Sequence, residues 1–461
     1  VKERIFETLH ELRQYALKKG ADVAFLYHEE DSSLMRFANS AISLNTSEHL
    51  IRLEITAYDG KKRATYEMIT DLNQVDEMKK GVEKAIAMVE HAMPLTYSPS
   101  IPTYAETFVD ETGHDLALAS LSNAEKLSYF NEAVAGLETE EIKLSGIFSS
   151  GTNILASIST CSDHLQYVAT SDAQVTVVLS HAVLKWEVTA EQSAWRKVDL
   201  NPTSLRADLA LLLERYQNDS PQQIPLGKYD IVFGSAAIAE MVNFMNWIGF
   251  DGGLMKRGFS FLSEEKIGQR VFSEKVTLVD DPDRLDTFPL KRDWMGMTRQ
   301  RFPLFEKGVF QAFTWLQDDA DEFAAQPTGH TVPHKSLVME GGEGAVTTLE
   351  ELVNMPRAKD ILYIPFLHYM NIVNPSRGLI TASSRFGALL LKADGSVVVP
   401  YNVRLTQSLL DIFGNQLEWI SRATAPYNTS QSYGSRNPTA IVVPAFMLVS
   451  DLEISHSNSS Y

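Results

Sequence analysis

The residues best suited to chemistry in this 461-residue chain are His330 and His334, in the stretch T-G-H-T-V-P-H (328–334). The chain has eleven histidines in all and a single cysteine, Cys161. Imidazoles four residues apart often hold zinc, because on a helix that spacing sets both rings on one face. Pro333 opposes a helix here, since it lacks an amide hydrogen and its ring crowds the preceding turn. In an extended segment the two α-carbons would stand ~13 Å apart, at ~3.3 Å per residue, an awkward span for one ion. A turn would have to bring them together, with His368 as a conceivable third ligand. Cleft-lining or hydrogen-bonded loop histidines are the reading the residues favour over a metal.

Other chemical patterns are weaker. There is no G-x-S-x-G, no P-loop and no G-x-G-x-x-G after a strand. E-G-G-E-G-A (340–345) is glycine-rich but acidic, so it would repel phosphate and reads as a loop. V-D-D-P-D-R-L-D (279–286) offers four carboxylates without the spacing of a calcium loop and reads as a solvated turn. H-E-E-D (28–31) ends a strand pattern and reads as surface charge.

The elements that position these residues follow from apolar periodicity. Ile5, Leu9, Leu12 and Ala16 recur at helical spacing. Strand patterns follow at 22–28, 34–39 and 50–58, and Asp59-Gly60 predicts a hairpin turn into 61–67. A second helix carries Val75, Met78, Val82, Ile86 and Val89 on one face. After a proline-bearing segment the order returns. Ser122 and Glu125 predict a capping box, and Leu127, Phe130, Val134 and Leu137 a helix face. Strands are expected at 141–150, 153–160, 164–170 and 173–183, then a helix with Leu205, Leu209, Leu212 and Tyr216. The pattern predicts an α+β protein. Helix–antiparallel strands–helix units, a possible repeat, occupy 1–93 and 122–217, with a linker at 94–121, and a β-rich domain spans 226–461. Within that domain 235–250 is apolar nearly all round and predicts a core helix. Single strands are expected at 360–370 and 441–450, and a hairpin turn at Asp394-Gly395.

Bulk properties narrow the function. A 44% hydrophobic, 22% charged composition is that of a globular protein. The apolar run 440–449 is too short to cross a bilayer. A net charge of −18 disfavours direct contact with a nucleic-acid backbone. One cysteine excludes an internal disulfide and a multi-thiolate zinc cage. With no basic, apolar leader in view, a cytoplasmic protein is the simplest expectation.

Five segments, in order, carry a resemblance: 260–282 (S-F-L-S-E-E-K-I-G-Q-R…), 327–334 (P-T-G-H-T-V-P-H), N-P-S-R-G (374–378), 407–420 (Q-S-L-L-D-I-F-G-N-Q…) and 435–448 (S-R-N-P-T-A-I-V-V-P…). Together they resemble the TldD/PmbA family, and the first hundred residues are similar to its N-terminal unit. The chain is more similar to the PmbA (TldE) branch. The resemblance implies a cytoplasmic peptidase built from two related subunits and acting on unfolded peptides. In it a TldD-type subunit holds zinc with H-E-x-x-x-H on a helix and a cysteine near the C-terminus. The family name "modulator of DNA gyrase" comes with it.

On that pattern the first histidine position is Ala239, the glutamate position Glu240 and the second histidine position Phe244. No cysteine stands in 425–435, where the family's would be expected. The resemblance therefore implies a TldE-like subunit without its own metal or cofactor, zinc residing only in a TldD-type partner. Its partners would be a TldD-like paralogue or a second copy, with no membrane and no nucleic acid. His330 and His334 are then candidate substrate-binding residues, and Glu240 the single match to the catalytic positions. Two alternatives stand beside this: a stand-alone metal-dependent hydrolase using His330, His334 or His368, and a non-enzymatic homodimeric peptide-binding protein.

Overall fold

In α1 (Lys2–Lys18), Ile5, Leu9, Leu12 and Ala16 form one buried face, as their spacing requires. That face packs on a sheet begun by β1 (Asp22–Ala38), β2 (Ala41–Asp59) and β3 (Lys62–Thr70). Asp59-Gly60 makes the tight turn between β2 and β3, with Gly60 at φ 56°. α2 (Val75–His91) covers the same face. Next come β4 (Phe108–Gly113), α3 (Leu116–Ala119) and α4 (Asn123–Val134), so the segment 94–121 contributes a strand and a helical turn. β5 (Ile142–Ser159), β6 (Ser162–His181), β7 (Glu187–Ala194) and α5 (Pro202–Tyr216) complete the first half. The computed structural model describes residues 2–216, 220–430 and 435–458.

Helix, three-stranded meander, helix thus occurs twice, and the two units share one seven-stranded sheet of order β3-β2-β1-β5-β6-β4, with β7 also on β6. Their first strands meet antiparallel, Phe25 opposite Ile158 and Phe37 opposite Gly146, which gives the sheet an approximate two-fold arrangement.

Three strands each join two segments that the sequence pattern keeps apart, and β2, at 19 residues, starts well before the expected residue 50. Segments 22–28 and 34–39 form one strand of 17 residues; 141–150 and 153–160 join in one of 18, and 164–170 and 173–183 in one of 20. The polar residues that read as breaks lie where the sheet passes from one apolar cluster to the next. Phe25 and Tyr27 pack with α1 and α2, whereas Met35 and Phe37 pack with α4 and α5. Glu29 and Glu30, expected at the surface, are therefore 7% and 2% exposed. Tyr27 donates to Glu29 at 2.6 Å, and Arg52 lies 3.2 Å from Glu30. The capping box of Ser122 and Glu125 is present, but the α4 face is turned slightly from expectation. Lys126 is buried and Leu127 exposed, because the Lys126 ammonium reaches Ser33 Oγ at 2.6 Å across the sheet.

The second half contains β8 (Gly227–Gly234), α6 (Ser235–Ile248), α7 (Gly252–Lys256), β9 (Leu278–Asp280), β10 (Phe302–Glu306), β11 (Val309–Phe310), α8 (Gln317–Phe323), β12 (Leu337–Met339), α9 (Leu349–Asn354) and β13 (Ile361–Ile364). It continues with β14 (Phe366–Asn374), β15 (Leu379–Arg385), β16 (Leu389–Leu391), β17 (Val397–Val398), β18 (Asn402–Ser408), α10 (Leu409–Ile412), β19 (Leu417–Ile420), β20 (Thr424–Asn428), β21 (Ala440–Pro444) and β22 (Phe446–Asn458). A nine-stranded sheet runs β14-β15-β18-β22-β8-β13-β16-β17, with β19 on β22, and a six-stranded sheet runs β11-β10-β9-β12-β21-β20.

α6 touches β8 and β14 of the first sheet and β20 and β21 of the second, which is why it is apolar on most sides. Two single strands expected from sequence are each divided. Pro365 separates β13, beside β8, from β14 at the sheet edge. The run 441–450 crosses from β21 in one sheet to β22 in the other. The Asp394-Gly395 turn joins β16 to β17 as predicted, with Gly395 at φ 88°. No helix among the described residues is long and apolar enough to cross a membrane.

Candidate functional site

α6 starts directly from β8, and its first turn is tied to the next strand pair by Ala237 N–H donating to Pro365 O at 3.1 Å. Ala239 is fully buried, and Phe244 is 8% exposed with its ring 5.4 Å from that of Trp247. Neither side chain offers a lone pair, so these positions do not fit zinc. Among the described residues, no three His, Cys, Asp or Glu side chains are grouped to hold a metal ion. Residues 431–434 of the stretch 425–435 lie outside the described residues.

Glu240 remains, half-buried at the junction of the two halves, near Glu191 of β7 and Tyr427 of β20. Burial raises the Glu240 pKa. Burial, and then the charge of Glu240, push Glu191 up to about 8. The charge of Glu240 thus adds to burial in favouring the protonated form of Glu191 near neutral pH. Burial, then Glu191 and Glu240, raise the Tyr427 hydroxyl well above its ordinary range. No side-chain hydrogen bond joins any of the three to another described residue.

Glu191 also lines a cleft of about 700 Å³. Its wall carries Glu191, Asp199, Asp208, Asp283 and Asp286 against Arg196 and Arg284. Both arginines are paired, Arg196 with Asp199 and Arg284 with Asp286, each at 2.7 Å, so the surplus charge is negative. Such a wall suits a basic or extended segment. The stretch 279–286, expected as a solvated turn, thus divides between this cleft and the core.

The core part is Asp280, 1% exposed at the end of β9. It accepts from Arg299 Nη2 at 2.8 and 2.6 Å and from Ser336 N–H at 2.6 Å, and His330 Nε2 lies 2.9 Å away. Burial alone would raise this carboxyl; His330 and Arg299 outweigh burial and hold it well below the usual carboxylate range. His330 is 2% exposed, with Nδ1 2.8 Å from Thr328 Oγ1 and its ring edge-on to Phe302. Burial lowers its pKa, with Asp280 opposing.

His334 Nε2 is 2.8 Å from Phe288 O, which fixes the neutral tautomer that donates there. Burial lowers its pKa to about 4. Lys335 donates to Asn246 Oδ1 of α6 at 2.7 Å, and burial lowers its pKa. The loop is thereby stapled to β9 and α6, its two imidazoles turned toward protein partners. His368 lies apart, on β14 beside Arg385 and Tyr369, along a cleft of about 340 Å³. Cys161 is exposed in the turn between β5 and β6.

Sequence reasoning reached Ala239, Glu240 and Phe244 but missed Glu191, Asp280, Arg299 and Lys335. Asp280 carried a faint signal, a charge closing the apolar T-L-V (277–279); Glu191 carried none, since only folding brings β7 to α6.

Two β-sheets packed on a core helix, joined to a helix-flanked sheet made of two like units, define an α+β protein. The family model described as the PmbA/TldA metallopeptidase C-terminal domain matches residues 226–456, and the chain belongs to the TldD/PmbA family. The fold is similar to that of TldE from Thermococcus kodakarensis, with a TM-score of 0.78, 16% identity and coverage of 97% of this chain and 100% of that one. It is also similar to a candidate modulator of DNA gyrase from Thermotoga maritima (TM-score 0.74, 17% identity, 97% and 99% coverage). A third such protein, from Bacteroides thetaiotaomicron, gives a TM-score of 0.77 at 16% identity over 97% and 98% of the chains. No curated protein matches the sequence.

Proposed function

We propose that the chain is a TldE-like, non-catalytic subunit of a TldD/PmbA-type metallopeptidase system that acts on unfolded peptides in the cytoplasm. The observation that carries this reading is α6. It keeps Glu240 at the family's glutamate position but buries Ala239 and Phe244 where a metal-bearing subunit has histidines. The chain's own residues then bind and orient substrate, while zinc is supplied by a TldD-like paralogue. The acid-rich cleft beside Glu191 favours basic stretches of peptide. Residues 41–50 of β2 pair with β1 only, so their other edge can take an extended strand. We place the peptide beside the loop anchored by His330 and His334, with the imidazoles holding the loop in shape.

The test is reconstitution with a paralogue that carries H-E-x-x-x-H. Cleavage of an unfolded peptide is expected from the mixture and not from this chain alone. Equal turnover by this chain alone, or no gain over the partner alone, would overturn the reading.

A further inference from the structure

A cavity of about 310 Å³ lies between the two halves of the chain and shares no lining residue with the acid-rich cleft. Its floor is the face of the seven-stranded sheet turned away from α1 and α2. Side chains alternate along a strand, so Phe25 and Ile55 enter the helix-covered core while Leu26, Glu54, Thr56 and Thr65 face the cavity. Its roof comes from the second half, through Trp294, Met295 and Thr331. Thr331 belongs to the histidine loop: its carbonyl accepts from Trp294 N–H at 2.9 Å and its hydroxyl from Gln317 N–H at 2.8 Å. The histidines are thus turned inward, and the loop presents Thr331 to this space.

Most polar groups around the cavity have protein partners. Arg63 pairs with Asp318 at 2.7 Å, Thr56 with Thr65 at 2.9 Å, and Tyr104 donates to Ser157 at 2.9 Å. Glu54 and the Tyr58 hydroxyl are the exceptions, and of the two only Glu54 carries a charge. It is half-buried and makes no hydrogen bond or ion pair with a described residue. Its register partner on β3 is another acid, Glu67, a like-charge pairing that weakens a sheet. The fold therefore holds a carboxylate with no hydrogen-bonded or ion-paired partner among the described residues on the floor of a half-open cavity, beside Tyr58, Tyr104 and Trp294.

We propose that this cavity binds a small organic cation bearing a primary ammonium group, with Glu54 as its counter-ion. The volume lies at the small end of ligand sites. Aromatic faces favour a cation, and Glu54 with Glu67 would repel a carboxylate or phosphate. With Asp318 committed to Arg63, Glu54 alone leaves too few free hard oxygens for a divalent metal. Burial and then Glu67 raise the Glu54 pKa, Arg63 opposing, so ammonium binding strengthens as pH rises through that raised value. Tyr58, Tyr104 and Asp318 are the other titratable groups lining the cavity beside Arg63. The proposal does not depend on the peptidase reading.

Isothermal titration of the full chain at pH 8 with n-butylamine, n-butanol and butyrate tests it. Saturable binding of the amine alone is expected, weakened at least about tenfold in Glu54→Gln, the loss of one charged hydrogen bond. Because Glu54→Gln removes a like-charge pair, it should fold as well as the parent; Trp294→Leu, which removes an aromatic face, should also weaken the amine. A lysine-free peptide with a free N-terminus, compared with its acetylated form, tells whether the ammonium belongs to a peptide end or to a small amine. Amine binding no better than butanol, or unchanged in Glu54→Gln, would overturn the proposal.

Discussion

Replacing Glu191 by Gln should make the protein more stable in mild alkali and leave it unchanged in acid. The Glu191 carboxyl moves from an ordinary 4.5 to about 8 in the folded chain. Between those values the unfolded chain releases this proton and the folded chain keeps it. Rising pH therefore draws the equilibrium toward unfolding, by ~1.4 kcal/mol per unit for one proton. From pH 5 to pH 8 a fully excluded group would contribute ~4 kcal/mol of lost stability. Glu191 keeps partial contact with the open acid-rich cleft, and solvent screening reduces the expected effect to ~2 kcal/mol. Gln has the same shape and no charge, so its variant should match the parent at pH 5 and exceed it at pH 8. Guanidinium unfolding, followed by tryptophan fluorescence at both pH values, reads this directly. Glu240→Gln should give part of the same gain, and the double variant less than the sum, because the pair shares its repulsion. A Glu191→Gln variant with the parent's full pH slope would refute the argument.

Two further outcomes follow from the same geometry. Asp280→Ala leaves the Arg299 guanidinium, whose side chain is 1% exposed, without its carboxylate; it should cost ~3–5 kcal/mol and release the 328–334 loop to proteolysis, which limited digestion would register. Ala239→His with Phe244→His should not restore peptidase activity to the isolated chain, read as chelator-sensitive cleavage of an unfolded peptide with added zinc. Five residues on a regular helix set side chains ~140° apart, no third ligand is grouped there among the described residues, and losing the buried Phe244 ring should itself cost ~3 kcal/mol.

Much of the scaffold could be read from local pattern. The α1 face, the Ser122–Glu125 cap, the Asp59-Gly60 turn and the all-round apolar α6 all follow from spacing over a few residues. Ala239 and Phe244 come into view through the family resemblance alone, which implies histidines at those positions in a metal-bearing subunit. The buried charges were not legible. Glu29, Glu30 and Asp280 read as surface because a local pattern contains no record of what later covers a strand. The Glu191–Glu240 pair and the cavity above Glu54 arise only when the second half closes on the first sheet. The long strands read as broken for the same reason: their polar middles separate two apolar clusters, and no turn occurs there.

The central claim is that this chain shapes the site and a partner performs the cleavage. The most direct measurement compares two conservative variants in the reconstituted pair, Glu240→Gln here and the equivalent glutamine substitution in the partner's H-E-x-x-x-H. We expect the partner's variant to abolish peptide cleavage, and Glu240→Gln to leave it within ~2-fold, as for a group that touches no reacting atom. Loss of cleavage from Glu240→Gln with the partner's glutamate dispensable would contradict the account and move the chemistry onto this chain.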